Sequence, residues 1–413
     1  MKKSVAFLST IVFLFLIVLN VTASASASNE YVSTLPGGDI LLPMFEGDAQ
    51  NTQLLSTSKV YQALSFASPA PRNTSLVGID NSCLLLDQSN QILKRLTVSH
   101  PKLKNETSVV CGASTVNDQV IMAVLNYDTS KSYIAYEDVK GKLRYTGLLS
   151  RQIISSCMTE EGIIVSGNSY RTKSNVAYIN PWAAMFNIKG ELVWEHMGPQ
   201  VKTKNFGATS SYDLCLNSKD ETLLIRRDRY DGDGHLSIIR MSAQGDVIEE
   251  HRIEWRKHLP GYDIVPEKAY LVDNQVLFIV DIVSSDKQTP CLMKTDKSGN
   301  ILWLQPFPEL EGIHCALEVR DGFIISAVAA IKEGDRSIVQ LISLVDRQGK
   351  MIASLPFNKR INSGSSEVRF MWNRADGSIC LVGTSTNFTT IEYEYTVFTY
   401  QLQPALFGLI PSR

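Results

Sequence analysis

Apolar residues along this chain come in short runs broken by polar turns, and the runs recur at a steady spacing. The most regular break is a four-residue turn: Asp87-Gln-Ser-Asn90, Asp138-Val-Lys-Gly141, Asn187-Ile-Lys-Gly190, Ser242-Ala-Gln-Gly245, Asp296-Lys-Ser-Gly299 and Asp346-Arg-Gln-Gly349. Their closing residues lie 51, 49, 55, 54 and 50 positions apart. Asp, Asn or Ser opens each turn because a short polar side chain can cap backbone N–H groups. Gly or Asn closes it because that residue must take a positive φ, as a type I turn with a G1 bulge requires. Two positions beyond stands an aliphatic residue in every copy: Ile92, Leu143, Leu192, Val247, Ile301 and Met351. This regularity predicts that the position faces the core.

A second break precedes a short apolar strand upstream in each repeat. It reads Asn117-Asp118 before VIMAV, Glu161-Gly162 before IIVSG, Asp220-Glu221 before TLLI, Asp273-Asn274 before VLFIV, Asp321-Gly322 before FIISA and Asp376-Gly377 before SICLVG. A weaker copy, Asn73-Thr74 before SLVGI, starts the series. Each repeat thus supplies four short strands. Neither face of such a sheet can be buried alone, and stacking the sheets around an axis buries both. The expected fold is all-β, a seven-bladed β-propeller of four-stranded antiparallel blades. The blades are expected near residues 59–99, 105–149, 150–200, 206–257, 262–308, 312–358 and 364–411, forming one domain over 29–413. A right-handed β-helix has shorter coils, and a two-sheet sandwich has no use for seven periodic turns. The seventh repeat lacks a final Asp-x-x-Gly hairpin, so another segment must close the ring. Leu406–Ile410 could do so, or a strand from the N-terminal side near residues 38–43. The N-terminal choice is favoured because it ties both chain ends into one sheet.

Two hairpins run on to tryptophan, Asn187-Ile-Lys-Gly190-Glu-Leu-Val-Trp194 and Asp296-Lys-Ser-Gly299-Asn-Ile-Leu-Trp303, and Asp138-Val-Lys-Gly141-Lys-Leu-Arg-Tyr145 is a softer version. This pattern resembles the PQQ-like (quinoprotein-like) propeller repeat and related repeats of exported bacterial proteins. The other copies carry Lys94, Glu249 and Ala353 at the aromatic position, and the Thr that the family places before the Gly is absent. The resemblance implies the fold. It implies no quinone, since many members of that superfamily bind no cofactor. A large aromatic that covers the gap between adjacent sheets explains the tryptophans equally well.

The ends and the composition add context. Lys2 and Lys3, the apolar run Ile11–Leu19 and the small residues Ala23, Ala25 and Ala27 form the layout of a signal peptide over residues 1–28. No second spanning segment follows, so a secreted or cell-surface protein with no membrane span after cleavage is expected. Removing the leader leaves 38 basic and 42 acidic residues, which argues against a nucleic-acid partner. Of seven cysteines, Cys111, Cys157, Cys215 and Cys315 fall on the strand expected to be innermost, Cys83 and Cys291 on third strands and Cys380 on a second strand. All seven are read as buried free thiols.

Candidate chemistry is sparse. Asp228-Arg-Tyr-Asp231-Gly-Asp233-Gly234 resembles half a calcium loop, but the alternation fails at Arg229 and no terminal Glu follows, so a turn is expected. Glu249–His258 reads as a charged outer strand whose Ile253 and Trp255 point inward. His100, His196, His235, His251, His258 and His314 form no metal motif. Glu392 and Glu394 share a strand face, which two solvent-facing charges do by accident. The polar stretch 167–182, GNSYRTKSNVAYINPW, reads as a long loop suited to recognition. No catalytic, cofactor or metal residue is assigned. The leading expectation is a monomeric binding scaffold that presents loops to a protein or glycan of the cell envelope. The alternatives are a hydrolase or lyase with its site in the central funnel, and a quinone-binding quinoprotein.

Overall fold

The computed structural model describes residues 52–58 and 64–402, except 104–107, 174–175, 204–207, 219–220, 231–232, 285–286, 331–337, 357–364 and 389–392. Residues 1–28, expected to be a signal peptide, and both the 38–43 and 406–410 segments lie outside the described residues. There are seven antiparallel sheets, six built from strands consecutive in the chain and the seventh completed by a strand from the N-terminal side. Their innermost strands are Leu64–Ala70, Ser108–Val116, Gln152–Met158, Thr209–Asn217, Asp263–Val272, Gly312–Val319 and Ser365–Asn373. Each contacts the innermost strand of the next sheet, from blade one to blade seven and back to blade one. The molecule is a seven-bladed β-propeller. No helix among the described residues is long and apolar enough to cross a membrane.

The turns form for the reasons their composition suggests. Asn90, Gly141, Gly190, Gly245, Gly299 and Gly349 all have positive φ, between 63° and 90°. The Asp138 carboxylate accepts from the backbone N–H of Lys140 at 2.9 Å and of Lys142 at 3.0 Å, and Asp87, Asn187, Ser242 and Asp346 cap their turns in the same way. The aliphatic position two beyond the turn does not face the core throughout. Ile92, Leu192 and Val247 are 39%, 54% and 45% exposed. This residue begins the outermost strand, where no further strand lies outside it. In the two tryptophan copies the side chain two positions later docks on the turn of the following blade, whereas Glu249 at that place in blade four is exposed. A Cβ at Gly245 would stand 2.6 Å from the Trp194 ring, and one at Gly349 would stand 3.1 Å from Trp303. Glycine is therefore required at these turns by packing as well as by φ.

The apolar core is divided among the blade interfaces. Each of seven clusters of buried side chains joins two neighbouring blades, such as Leu223, Ile225 and Trp255 of blade four with Phe278 and Val280 of blade five. Trp255 reaches its cluster from a short 3₁₀ turn, Trp255–Lys257, beyond the charged outer strand Val247–Arg252. The ring closes through Thr52–Ser58, which pairs antiparallel with Tyr393–Leu402 as the outermost strand of blade seven. Leu55 of this strand is buried with Leu64 and Val77 of blade one and Trp372 and Val397 of blade seven.

Two further expectations are corrected. Cys157 and Cys215 are joined by a disulfide, because the innermost strands of blades three and four bring their Cα atoms to 5.7 Å, within bridging range. The other five cysteines are free. The stretch 167–182 is not a loop. Gly162–Lys173 and Val176–Asn187 pair without a break from Gly162↔Asn187 to Lys173↔Val176. Val201–Thr203 adds a fifth strand along Ala177–Ile179, which no other blade has among the described residues. Alternation of Ala177 and Ile179 with Val176, Tyr178 and Asn180 gives this hairpin one apolar face to bury, and a loop would leave those backbone groups unpaired.

Candidate functional site in the central channel

All seven innermost strands carry a β-bulge at the same level. One residue is skipped in the pairing of each: Ser65, Cys111, Ile154, Asp213, Glu267, His314 and Arg369. A bulge re-aims its extra side chain out of the strand's ordinary alternation. None of the seven is fully buried, although most residues beside them are, so they line the channel. Around the ring, blades four to seven supply Asp213, Glu267, His314 and Arg369, and blades one to three supply Ser65, Cys111 and Ile154. One half of the wall is thus ionisable, and the other is small or apolar. A cavity of about 640 Å³ lies against five of them, Ser65, Cys111, Ile154, Asp213 and Glu267, and is lined also by Phe66, Met158, Lys268 and Phe370.

The ionisable half is tightly coupled. Glu267 is accessible through the channel, but its surroundings withhold enough water that burial is the largest influence on it. Burial, reinforced by the charges of Asp281 and Asp213 and opposed by Arg227 and Lys268, pushes the Glu267 carboxyl up to about 7. Burial likewise raises Asp213 and Asp281, although Ser211 donates to Asp213 and Gln288 donates to Asp281 at 2.6 Å. Glu367 behaves oppositely. Burial works to raise it, but His314, whose Nε2 stands 2.9 Å from its Oε1, and Arg369, donating at 2.9 Å, hold it at about 2. Lys268 of blade five reaches past blade six to donate to the Arg369 carbonyl of blade seven at 2.7 Å, and it lies 4.3 Å from the Phe370 ring centroid. Burial lowers its pKa.

A pH dependence follows from Glu267. Its folded-state pKa lies above the ordinary value of 4.5. The folded protein therefore binds a proton more tightly than the unfolded chain between those two pH values, and stability falls as pH rises through the window. Glu267→Gln is expected to be more stable than the parent at about pH 7.5 and equal to it at about pH 4, read by urea unfolding. Loss from Glu367 at low pH is common to both proteins and cancels. A variant less stable than the parent at the higher pH would show that the protein favours the carboxylate.

The residues singled out from sequence are dispersed. Asp228 is buried, accepting from Ser210 and from Arg226 at 2.8 Å, which occupies it as an ion-pair partner. Among the described residues no group of three or more His, Cys, Asp or Glu side chains is placed to hold a metal. Glu249 and Glu250 pair with Arg240 and Arg226 across the outer strands of blade four. His100 is buried against Tyr133 and Tyr145, and His196 lies 2.9 Å from the Tyr212 hydroxyl. Glu392 and the side chain of Glu394 lie outside the described residues. Of the six histidines only His314 belongs to the channel ring. Asp213, Glu267 and Arg369 carry no motif and escape a search for one. A column would have gathered them: in blades two to seven the bulged residue stands six or seven positions before the second break, as Glu267 does before Asp273 and His314 before Asp321.

No protein-family model and no curated protein matches the sequence. Among solved structures, the chain is similar to the Neurospora crassa Pan2 WD40 domain, with a TM-score of 0.49 and 10% identity over 86% of this chain and 99% of that one. It is also similar to the AfRom2 CNH domain, with a TM-score of 0.46 and 10% identity over 84% of this chain and 98% of that one. A third is Drosophila Semaphorin 1a, extracellular domains 1-2, with a TM-score of 0.46 and 8% identity over 85% and 88% of the two chains.

Proposed function

We propose that this chain is an exported binding propeller that holds part of a cell-envelope glycan in its central channel. The ring of bulged residues carries this reading, because five of its seven members line one cavity, Asp213 and Glu267 on one side and Ser65, Cys111 and Ile154 on the other. Carboxylates and Ser65 suit sugar hydroxyls, while Ile154, Phe66 and Phe370 suit the C–H face of a sugar ring. The leader-like N-terminus and the cross-blade disulfide support a place outside the cytoplasm. The PQQ-like affinity rests on the Trp194 and Trp303 hairpins, whose tryptophans pack under the next blade's turn and need no quinone for that role.

The test is calorimetric binding of the purified protein to a panel of envelope glycans. The double variant Asp213→Asn/Glu267→Gln is expected to bind a hit about tenfold or more weakly, in line with the loss of two ligand hydrogen bonds to charged groups. Unchanged affinity would remove the channel from the account. A second reading, a glycan hydrolase or lyase, draws on a different observation. A carboxyl with a pKa of about 7 beside another carboxylate suits general acid work at neutral pH. Release of reducing ends by the parent but not by Glu267→Gln would favour it.

A further inference from the structure

We propose that the five-stranded extension of blade three is a docking surface for an acidic polysaccharide, distinct from the channel and independent of what the channel binds. The extension is the paired end of Gly162–Lys173 and Val176–Asn187 with Val201–Thr203 alongside. One face buries Ala177, Ile179 and Val201. The other presents cross-strand rows. Arg171 pairs with Tyr178 and Tyr178 with Lys202, so a cation flanks the tyrosine on each side. The Arg171 guanidinium lies 5.2 Å and the Lys202 ammonium 5.8 Å from the centre of the Tyr178 ring. Both contacts hold long side chains over a flat aromatic and reduce the entropy lost when they meet an anion.

The neighbouring row is uncharged and rich in amides. Ser169 pairs with Asn180, and Gln200 donates to the Asn180 side chain at 3.2 Å. Lys173, two residues beyond Arg171, continues the cationic side and is exposed. Across 167–173, 176–181 and 198–203 the chain carries Arg171, Lys173 and Lys202 and has no Asp or Glu. Some exposed cations elsewhere are offset by an acid, as Arg144 is by Asp138 and Arg72 by Asp118. A single-sign face selects an anionic partner. The amide and hydroxyl row beside an aromatic fits one that also carries hydroxyl groups, which is an acidic polysaccharide.

The experiment measures binding of the intact mature protein to polygalacturonate, with neutral dextran, polyphosphate and poly-glutamate as comparison ligands. Arg171→Gln/Lys173→Gln/Lys202→Gln is expected to weaken polygalacturonate binding roughly tenfold or more at low salt, and added salt should weaken the parent similarly. Lys140→Gln/Lys189→Gln, which removes exposed cations from other turns, should leave binding unchanged. Arg171→Lys/Lys202→Arg should retain most of it, which separates charge from a folding defect. Asn180→Ala/Gln200→Ala should weaken polygalacturonate but not polyphosphate. Undiminished binding by the triple variant overturns the proposal. So does parent binding to polyphosphate or poly-glutamate as tight as to polygalacturonate.

Discussion

A chain that starts at residue 59 rather than 29 is expected to lose cooperative folding, although it keeps twenty-eight of the twenty-nine described strands. The reason lies in blade seven. Its three C-terminal strands end at Tyr393–Leu402, and the fourth position of that sheet is filled by Thr52–Ser58. The register runs from Thr52↔Tyr400 to Ser58↔Tyr395, so losing it leaves the backbone of Tyr393–Leu402 as a bare edge. The ladder's hydrogen bonds, at about 1 kcal/mol net each, and the burial of Leu55 together put the loss above about 3 kcal/mol. The consequence is wider than one blade, because every blade interface is closed only when the ring is. Urea unfolding should show a lower midpoint and a broader transition, and size-exclusion chromatography should show self-association through the bare edge. Leu55→Asp in the intact chain tests the same joint with a single change. It buries a carboxylate between blades seven and one and should cost several kcal/mol. A chain from residue 59 that unfolds at the parent's urea concentration would mean that Tyr393–Leu402 closes the ring some other way.

How far this architecture could be read in advance depends on what kind of signal each part leaves. Turns leave a local one. Asp138 and Gly141 form a hairpin because of what they are, wherever the rest of the chain lies, and six such turns at even spacing imply blades. Ring closure leaves only a weak one. The pairing of Thr52–Ser58 with a strand more than three hundred residues away has no local signature, and TQLLSTS carries little more β pattern than its neighbours. The channel leaves the least. Glu267 sits in a strand like any other until the bulge between Pro266 and Lys268 turns it to the axis. Its partners arrive from three other blades. The stretch 167–182 misleads for the opposite reason. Polar residues at Ser169, Arg171, Lys173 and Asn180 look like loop composition, yet the first three pair with a strand whose Ala177 and Ile179 are buried on its other face. The Cys157–Cys215 bridge escapes for want of a rule that equivalent positions on adjacent blades come within reach.

Replacing that bridge, Cys157→Ala/Cys215→Ala, is expected to lower stability by about 2–4 kcal/mol. The closed loop spans 58 residues, and the chain-entropy account gives about 4 kcal/mol for a loop of that length. The bridge joins the inner edges of blades three and four, where Ser155 also accepts from the Cys215 backbone N–H at 3.3 Å, so some inter-blade contact survives its loss. Urea unfolding of the variant, and of the parent with and without reductant, reads the effect. Reductant should cost the parent the same stability and leave the variant untouched. The remaining thiols would let one bridge persist beside five free cysteines in the oxidising compartment proposed above. Burial is the largest influence on each, raising Cys83 and holding Cys111, Cys291 and Cys315 at about 12 and Cys380 at about 11. Thiol–disulfide exchange needs the thiolate, so these groups are poor attackers while the protein is folded. Cys83, Cys291, Cys315 and Cys380 should therefore resist alkylation in the native parent at neutral pH, with Cys111, which lines the channel, the first to react, and urea should expose five reactive thiols by mass. Seven reactive thiols in urea without reductant would dissolve the bridge, and with it the structural support for a place outside the cytoplasm.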